Sequence, residues 1–244
     1  ESIARRHVQQ AACIAYSGSG EQVSAASLSL RPRSLVIPNG HEAPAEIGSL
    51  AVAEDSRYIL FLGWLEARKQ PDFLVRAFAL TKARATHQLI IAGPDSYGFR
   101  STIRDEMERC GLTDREVRLP GSVHGTAKWQ LLSGASCFCL PSLAEGLPVV
   151  LCEGLGAGLP LIISRECNFT EAAEQGAALE LARFDEMEWA RAVDALCLDA
   201  DRRHSMSQSA AKMGTTLRWP QVVRRWLDLY SQLLRESSAI HGHA

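Results

Sequence analysis

Residues 136–164 read SCFCLPSLAEGLPVVLCEGLGAGLPLIIS, and this stretch decides the fold. Cys137–Leu140 and Leu159–Ile163 are short runs without a polar face, as expected of strands buried on both sides. The apolar run Pro148–Gly156 between them has helix length. Pro148 suits a first helical turn and Gly146 supplies a flexible elbow before it. Strand, helix and strand in this order predict parallel neighbours. The only charges from Ser136 to Ser164 are Glu145 and Glu153, which bracket seven residues that otherwise look like core.

The same alternation extends outward. SRYILFLGW, HQLIIAG, REVRLPG and AALEL read as further strands. KQPDFLVRAFALTKA, RSTIRDEMERCG and GTAKWQLLSGA read as the helices between them, and Gly111 suits a helix end. DEMEWARAVDALCL, DADRRHSMSQSAAKMG and WPQVVRRWLDLYSQLL form a helical close. The fold class expected is α/β, a Rossmann-like doubly wound parallel sheet with helices on both faces, over residues 56–214. Ligands in such sheets lie beyond the carboxyl ends of the strands. Those ends are Gly63–Lys69, Gly93–Tyr97, Gly121–Gly125, Ser142–Pro148 and Ser164–Thr170. Pro, Gly and Asn punctuate residues 39–55, which read as a linker, and 215–244 read as a C-terminal helix and tail.

Composition narrows the function. Hydrophobic residues make up 46% and charged residues 22% of the 244, an ordinary globular balance. A net charge of −2 gives no reason to expect nucleic acid as a partner. No apolar run is long enough to span a membrane, and the start has no signal-peptide pattern. The chain does not begin with Met, which fits a piece of a longer protein. Seven Cys at scattered spacing match no metal-ligand pattern, so they read as buried hydrophobes. Gly154, Gly156 and Gly158 open no helix after a strand, so they read as packing glycines, not a dinucleotide fingerprint.

Two readings of the glutamates compete. The bland one makes Glu145 a favourable charge near a helix N-terminus and Glu153 a solvated side chain. In the other, the unpaired N–H groups near Gly146–Val149 and the helix dipole suit a phosphate. Carboxylates would repel that phosphate, but they accept hydrogen bonds from hydroxyls on either side of it. A nucleotide-sugar has hydroxyls on both sides of its diphosphate.

EGLPVVLCEGLGAGLPLIIS closely resembles the Glu-x7-Glu segment of GT-B-fold retaining glycosyltransferases of the family-4, group 1 type. VIPNGHE, ILFLGWLEARKQPDFLVRAFA, LIIAGPD, VRLPGSV, SCFCLPSLAEGLP, CNFTEAAEQGAA and RWPQVVRRWLDLYSQLL resemble that family's segments in the same order. The resemblance implies a retaining, hexosyltransferase-type enzyme acting on a nucleotide-sugar donor and an acceptor glycan or glycolipid. It implies Glu153 on the ribose hydroxyls, Glu145 on the transferred sugar, and Gly146 and Leu147 near sugar or phosphate. Lys69 pairs with the diphosphate beside Gly63, and Val123 lies near the base. No cofactor or metal is implied. Family habit further implies polysaccharide or glycolipid assembly, in the cytoplasm or at the inner membrane face.

Two departures qualify the match. The family's Arg after Gly63 is Trp64 here, which could cost about 2–4 kcal/mol of transition-state stabilisation. Arg68 is the candidate to compensate. The Gly that follows the family's Lys is Gln70. Residues 1–38 read only as a remnant of the N-terminal acceptor domain, with AACIAYSGSGEQ as its last strand and turn, so the missing N-terminal GT-B domain is an expected partner. A non-catalytic nucleotide or nucleotide-sugar binding module is therefore the rival reading, and a sugar-nucleotide epimerase a weaker third.

Overall fold

The computed structural model describes residues 3–44 and 57–241. A first segment holds α1 (Ile3–Gln9), β1 (Ile14–Tyr16), α2 (Ser19–Ala26) and β2 (Ser34–Val36). The body alternates β3 (Tyr58–Leu62), α3 (Pro71–Ala79), β4 (Gln88–Ala92), α4 (Phe99–Arg109), β5 (Val117–Gly121), α5 (Gly125–Ser133) and β6 (Cys137–Leu140). It continues with α6 (Val149–Gly156), β7 (Leu161–Ser164), α7 (Thr170–Glu174), β8 (Ala178–Leu181), α8 (Glu186–Cys197), α9 (Ala200–Thr216) and α10 (Trp219–His241).

The six strands β3–β8 form one parallel sheet in the order β5-β4-β3-β6-β7-β8. The expected α/β Rossmann-like sheet is present. Its winding reverses between β3 and β6, and a reversal opens a crevice at the carboxyl edge, because the loops on either side lead away from each other. Burial explains the sequence pattern strand by strand. All four residues of β6 and of β7 are buried, as are four of the five in β3 and in β4. The edge strand β5 alternates buried and exposed, and Pro120 is tolerated there because an edge strand has spare N–H positions. Gly93 (φ 145°) ends β4 where a Cβ would lie 1.8 Å from the Gly63 carbonyl, so only glycine fits against the end of β3.

The first segment is more than a strand and turn. AACIAYSGSGEQ contains β1, but the chain then enters the helix α2. Gly18 is extended at its N-cap, and the Glu21 carboxylate reaches back to accept from the Ser17 N–H (2.9 Å) and hydroxyl (2.8 Å). Those contacts replace the turn with a fixed helix start.

Most of the linker expected over 39–55 lies outside the described residues. Its described part is packed, not loose. His41 is 2% exposed, donates from Nε2 to the Gly214 carbonyl (2.8 Å) and accepts at Nδ1 from the Ala43 N–H (3.1 Å). Gly156 makes room for it: a Cβ there would lie 2.4 Å from the imidazole. The packing reading of that glycine holds. Beyond His41, α10 returns to the first segment. Val222 and Leu229 pack on Ile37, and Arg225 donates to the Val36 carbonyl (2.7 Å). One side of α10 stays open, with Trp219, Val223, Leu227, Tyr230 and Leu234 exposed, so Trp219 and Tyr230 serve packing only in part.

Burial lowers the pKa of His41 from 6.5, and burial with the Arg203 charge lowers that of His87. A depressed folded-state pKa makes stability greatest above pH 6.5, and it is lost as the pH falls below that, because the unfolded chain takes up protons that the folded chain refuses. Urea unfolding between pH 7.5 and pH 5.5 should therefore show falling stability. The slope is bounded at about 1.4 kcal/mol per pH unit per histidine, and His41→Gln or His87→Gln each flattens it. Parallel slopes in the variants would refute the assignment.

Candidate functional site

The loops after β3 and β6 meet at the crevice. After β3, Ala67–Lys69 make a short 3-10 turn that ends on Gln70 in the left-handed region (φ 53°). That conformation favours glycine, which accounts for the strain of a Gln here, and its side chain offsets part of it by donating to the Ala67 carbonyl (3.0 Å). The turn aims Lys69 back over Gly63, where a Cβ would lie 3.1 Å from the lysine stem. Lys69 is buried, and its Nζ lies 2.6 Å from Glu145 Oε1.

Glu145 is pinned from both sides. Arg68 donates to the Ala144 carbonyl (2.7 Å) and lies 3.2 Å from Glu145 Oε2. On the other side, the Glu145 N–H donates to the Glu166 carbonyl (3.0 Å), and Asn168 Nδ2 donates to the Glu145 carbonyl. Burial alone would raise the Glu145 pKa, but the hydrogen bond and charge of Lys69, with Arg68 nearby, outweigh it and hold the carboxyl below its usual value. Its stabilising contribution is therefore complete above pH 4.5 and is lost in acid. Arg68 is committed to this loop, also pairing with Glu66 at 2.7 Å, while Trp64 is 56% exposed.

The helix α6 starts at Val149, with Pro148 as an extended N-cap, one residue later than Pro148 alone suggests. No side chain caps it. Its first amides and the positive end of its dipole are thus available to an anion. Gly146 is exposed facing Ser17 of the first segment, and Leu147 is buried with its carbonyl accepting from Asn39 Nδ2 (2.6 Å). Glu153, on α6, is paired with Lys128 of α5 (2.6 Å). Val123, in the β5–α5 loop, packs partly buried against the core.

Of the residues singled out in the sequence, Lys69, Arg68, Gly63 and Glu145 come together in one contact network, and Gly146, Leu147 and Glu153 lie along α6 and its approach. Sequence reading missed Lys128 and Asn168, whose partners lie on other elements. Among the described residues, no three His, Cys, Asp or Glu side chains converge to hold a metal ion. A cavity of about 570 Å³ lies elsewhere, between Leu35 and the α10 residues Arg225, Asp228 and Arg235.

Residues 43–213 match the model of the family described as glycosyl transferases group 1. D-inositol 3-phosphate glycosyltransferase of Nocardia farcinica is 28% identical over 207 residues, covering 82% of this chain and 44% of that protein. The enzyme of the same name from Mycobacterium tuberculosis is 27% identical over 200 residues, covering 78% and 40%. The chain thus spans under half the length of these relatives. Among solved structures, sucrose-phosphate synthase from Thermosynechococcus elongatus superposes with a TM-score of 0.82 at 19% identity, over 96% of this chain and 61% of that one. Anabaena HepE in complex with UDP and glucose gives 0.78 at 16% identity, over 94% and 66%. These two likenesses show the fold.

Removing one member of the Lys69–Glu145 pair strands the other in a half-dry site. Lys69→Met should destabilise by about 2–3 kcal/mol, moderated by Arg68. With Glu145→Gln, the double variant should lose less than the sum of the singles, a coupling of at least about 1 kcal/mol by urea unfolding. Additive losses would mean that the pair is not coupled.

Proposed function

The chain belongs to the glycosyl transferases group 1 family, and from that premise we propose that its crevice is the donor half-site of a retaining glycosyltransferase. The reaction moves a sugar from a nucleoside-diphosphate sugar to an acceptor hydroxyl. The observation that carries this reading is the Lys69–Glu145 pair, with Lys69 buried and Glu145 half-buried, at the β3–β6 reversal beside the uncapped start of α6. A cation, free amides and a carboxylate side by side match a phosphate next to a sugar hydroxyl.

Lys69 has three N–H donors, so it can keep Glu145 and still donate to a diphosphate oxygen. As the bond from the anomeric carbon to that oxygen breaks, negative charge grows on the leaving group. Lys69 and the α6 amides stabilise it with no rearrangement. The acceptor oxygen bonds to the anomeric carbon on the face the diphosphate leaves, and its proton passes to the departing phosphate oxygen, so configuration is retained. Glu145 accepts from hydroxyls of the transferred sugar, with Gly146 and Leu147 beside them. Glu153 accepts from the ribose, and Val123 meets the base. With Arg68 tied to the Glu145 loop and Trp64 exposed, Lys69 and α6 carry the diphosphate alone. The acceptor, a glycan or glycolipid in this reading, enters from an N-terminal half that the chain's short coverage of its relatives leaves room for. A role in polysaccharide or glycolipid assembly draws support from a fold neighbour, WaaG, a glycosyltransferase involved in lipopolysaccharide biosynthesis. Among the described residues no helix is long and apolar enough to cross a membrane.

Trp64 favours a second reading, in which the chain binds a nucleotide-sugar without turning it over. Calorimetric titration with UDP, GDP and ADP tests the half-site. One of them should bind, Glu153→Ala should weaken it by roughly tenfold or more, and Lys69→Ala should weaken the diphosphate more than the nucleoside. No binding by the folded chain would sink both readings. Binding without turnover, when a complementing N-terminal half is supplied, would select the second.

A further inference from the structure

Glu153, like Glu145, is paired with a lysine. Lys128 Nζ lies 2.6 Å from Glu153 Oε1, with the two side chains 25% and 15% exposed. Lys128 occupies the first turn of α5, its N–H donating to the His124 carbonyl. A cation there opposes the helix dipole, and no acidic residue of that turn relieves it. Its attractive contacts are Glu153 and the face of Trp129, whose ring centroid lies 5.3 Å from the ammonium. Lysine is scarce in this chain: Lys69, Lys82, Lys128 and Lys212 are the only lysines among 26 basic residues, and two of the four pair with the two crevice glutamates.

We infer that Lys128 is a positioning residue for donor binding: it fixes the Glu153 carboxylate through Oε1 so that Oε2 meets the ribose hydroxyls. This rests on the donor-site reading above. A glutamate has three rotatable bonds, and ordering them at the moment of binding weakens affinity. An ammonium on one oxygen orders the group beforehand and leaves acceptor capacity on the other. It also cancels a negative charge that would otherwise face an incoming diphosphate.

The test is calorimetry of the wild-type chain, Lys128→Met, Lys128→Arg and Glu153→Ala with UDP, GDP and ADP and their 2′-deoxy counterparts. Wild type should prefer the ribonucleotide that binds over its deoxy form by roughly tenfold. Lys128→Met should shrink that preference to about twofold or less, and Lys128→Arg should keep most of it. Thermal melts check that each variant is folded. If Lys128→Met keeps the full preference, whether or not it melts earlier, Lys128 only staples α5 to α6 and the inference falls while the donor site stands. If Glu153→Ala keeps the preference, Glu153 is not the ribose ligand, and the inference falls with that role. If no nucleotide binds the wild-type chain, the donor reading itself is overturned and the inference with it.

Discussion

A buried ammonium and a half-buried carboxylate, 2.6 Å apart, govern the carboxyl edge of this sheet. Removing two charges from water costs more than their attraction returns unless each is held and otherwise satisfied. The surrounding loops meet that condition. Arg68 and Asn168 grip the backbone on either side of the carboxylate, and Gly63 and Gly93 let the ends of β3 and β4 close up beneath the lysine. The strand order does the rest by placing the β3 and β6 loops next to each other at the reversal of the sheet. Moving any of these parts would leave a charge without its partner.

The second pair repeats the logic at a distance. Two carboxylates near the uncapped start of α6 look like a contradiction in sequence, because their charge opposes any anion that the helix N-terminus would attract. The contradiction dissolves in three dimensions. Each carboxylate carries a lysine, so neither pair adds net charge beside the start of α6.

Much of the architecture was legible in sequence because burial on both faces leaves a plain mark: Ile59–Leu62, Leu89–Ala92 and Cys137–Leu140 contain no polar residue to compete with a strand reading. Glu145 and Glu153 were legible for the complementary reason, as charges framing an apolar segment. Lys128 was not, because nothing within GTAKWQLLSGA says which element lies across from it; only a cation set against its helix dipole hinted at a partner. The packing of His41 was hidden too. Its neighbours Pro38, Asn39 and Gly40 signal a loop, and the Gly214 carbonyl that receives its proton lies 173 residues away. Helix α2 escaped because Ser17–Gly20 is all small residues, and its start depends on one carboxylate, Glu21, folding back.

The seam between α10 and the first segment has a kinetic consequence. Its Arg225–Val36 contact closes a loop of 189 residues, whereas the strands of the sheet pair over far shorter separations. Loop-closure entropy makes such a contact a late event in folding, and its small apolar cluster of Ile37, Val222 and Leu229 makes it weaker than the sheet's core. The seam is thus the cooperative unit set to open first in the native ensemble, while the buried strands at the centre of the sheet stay closed to exchange.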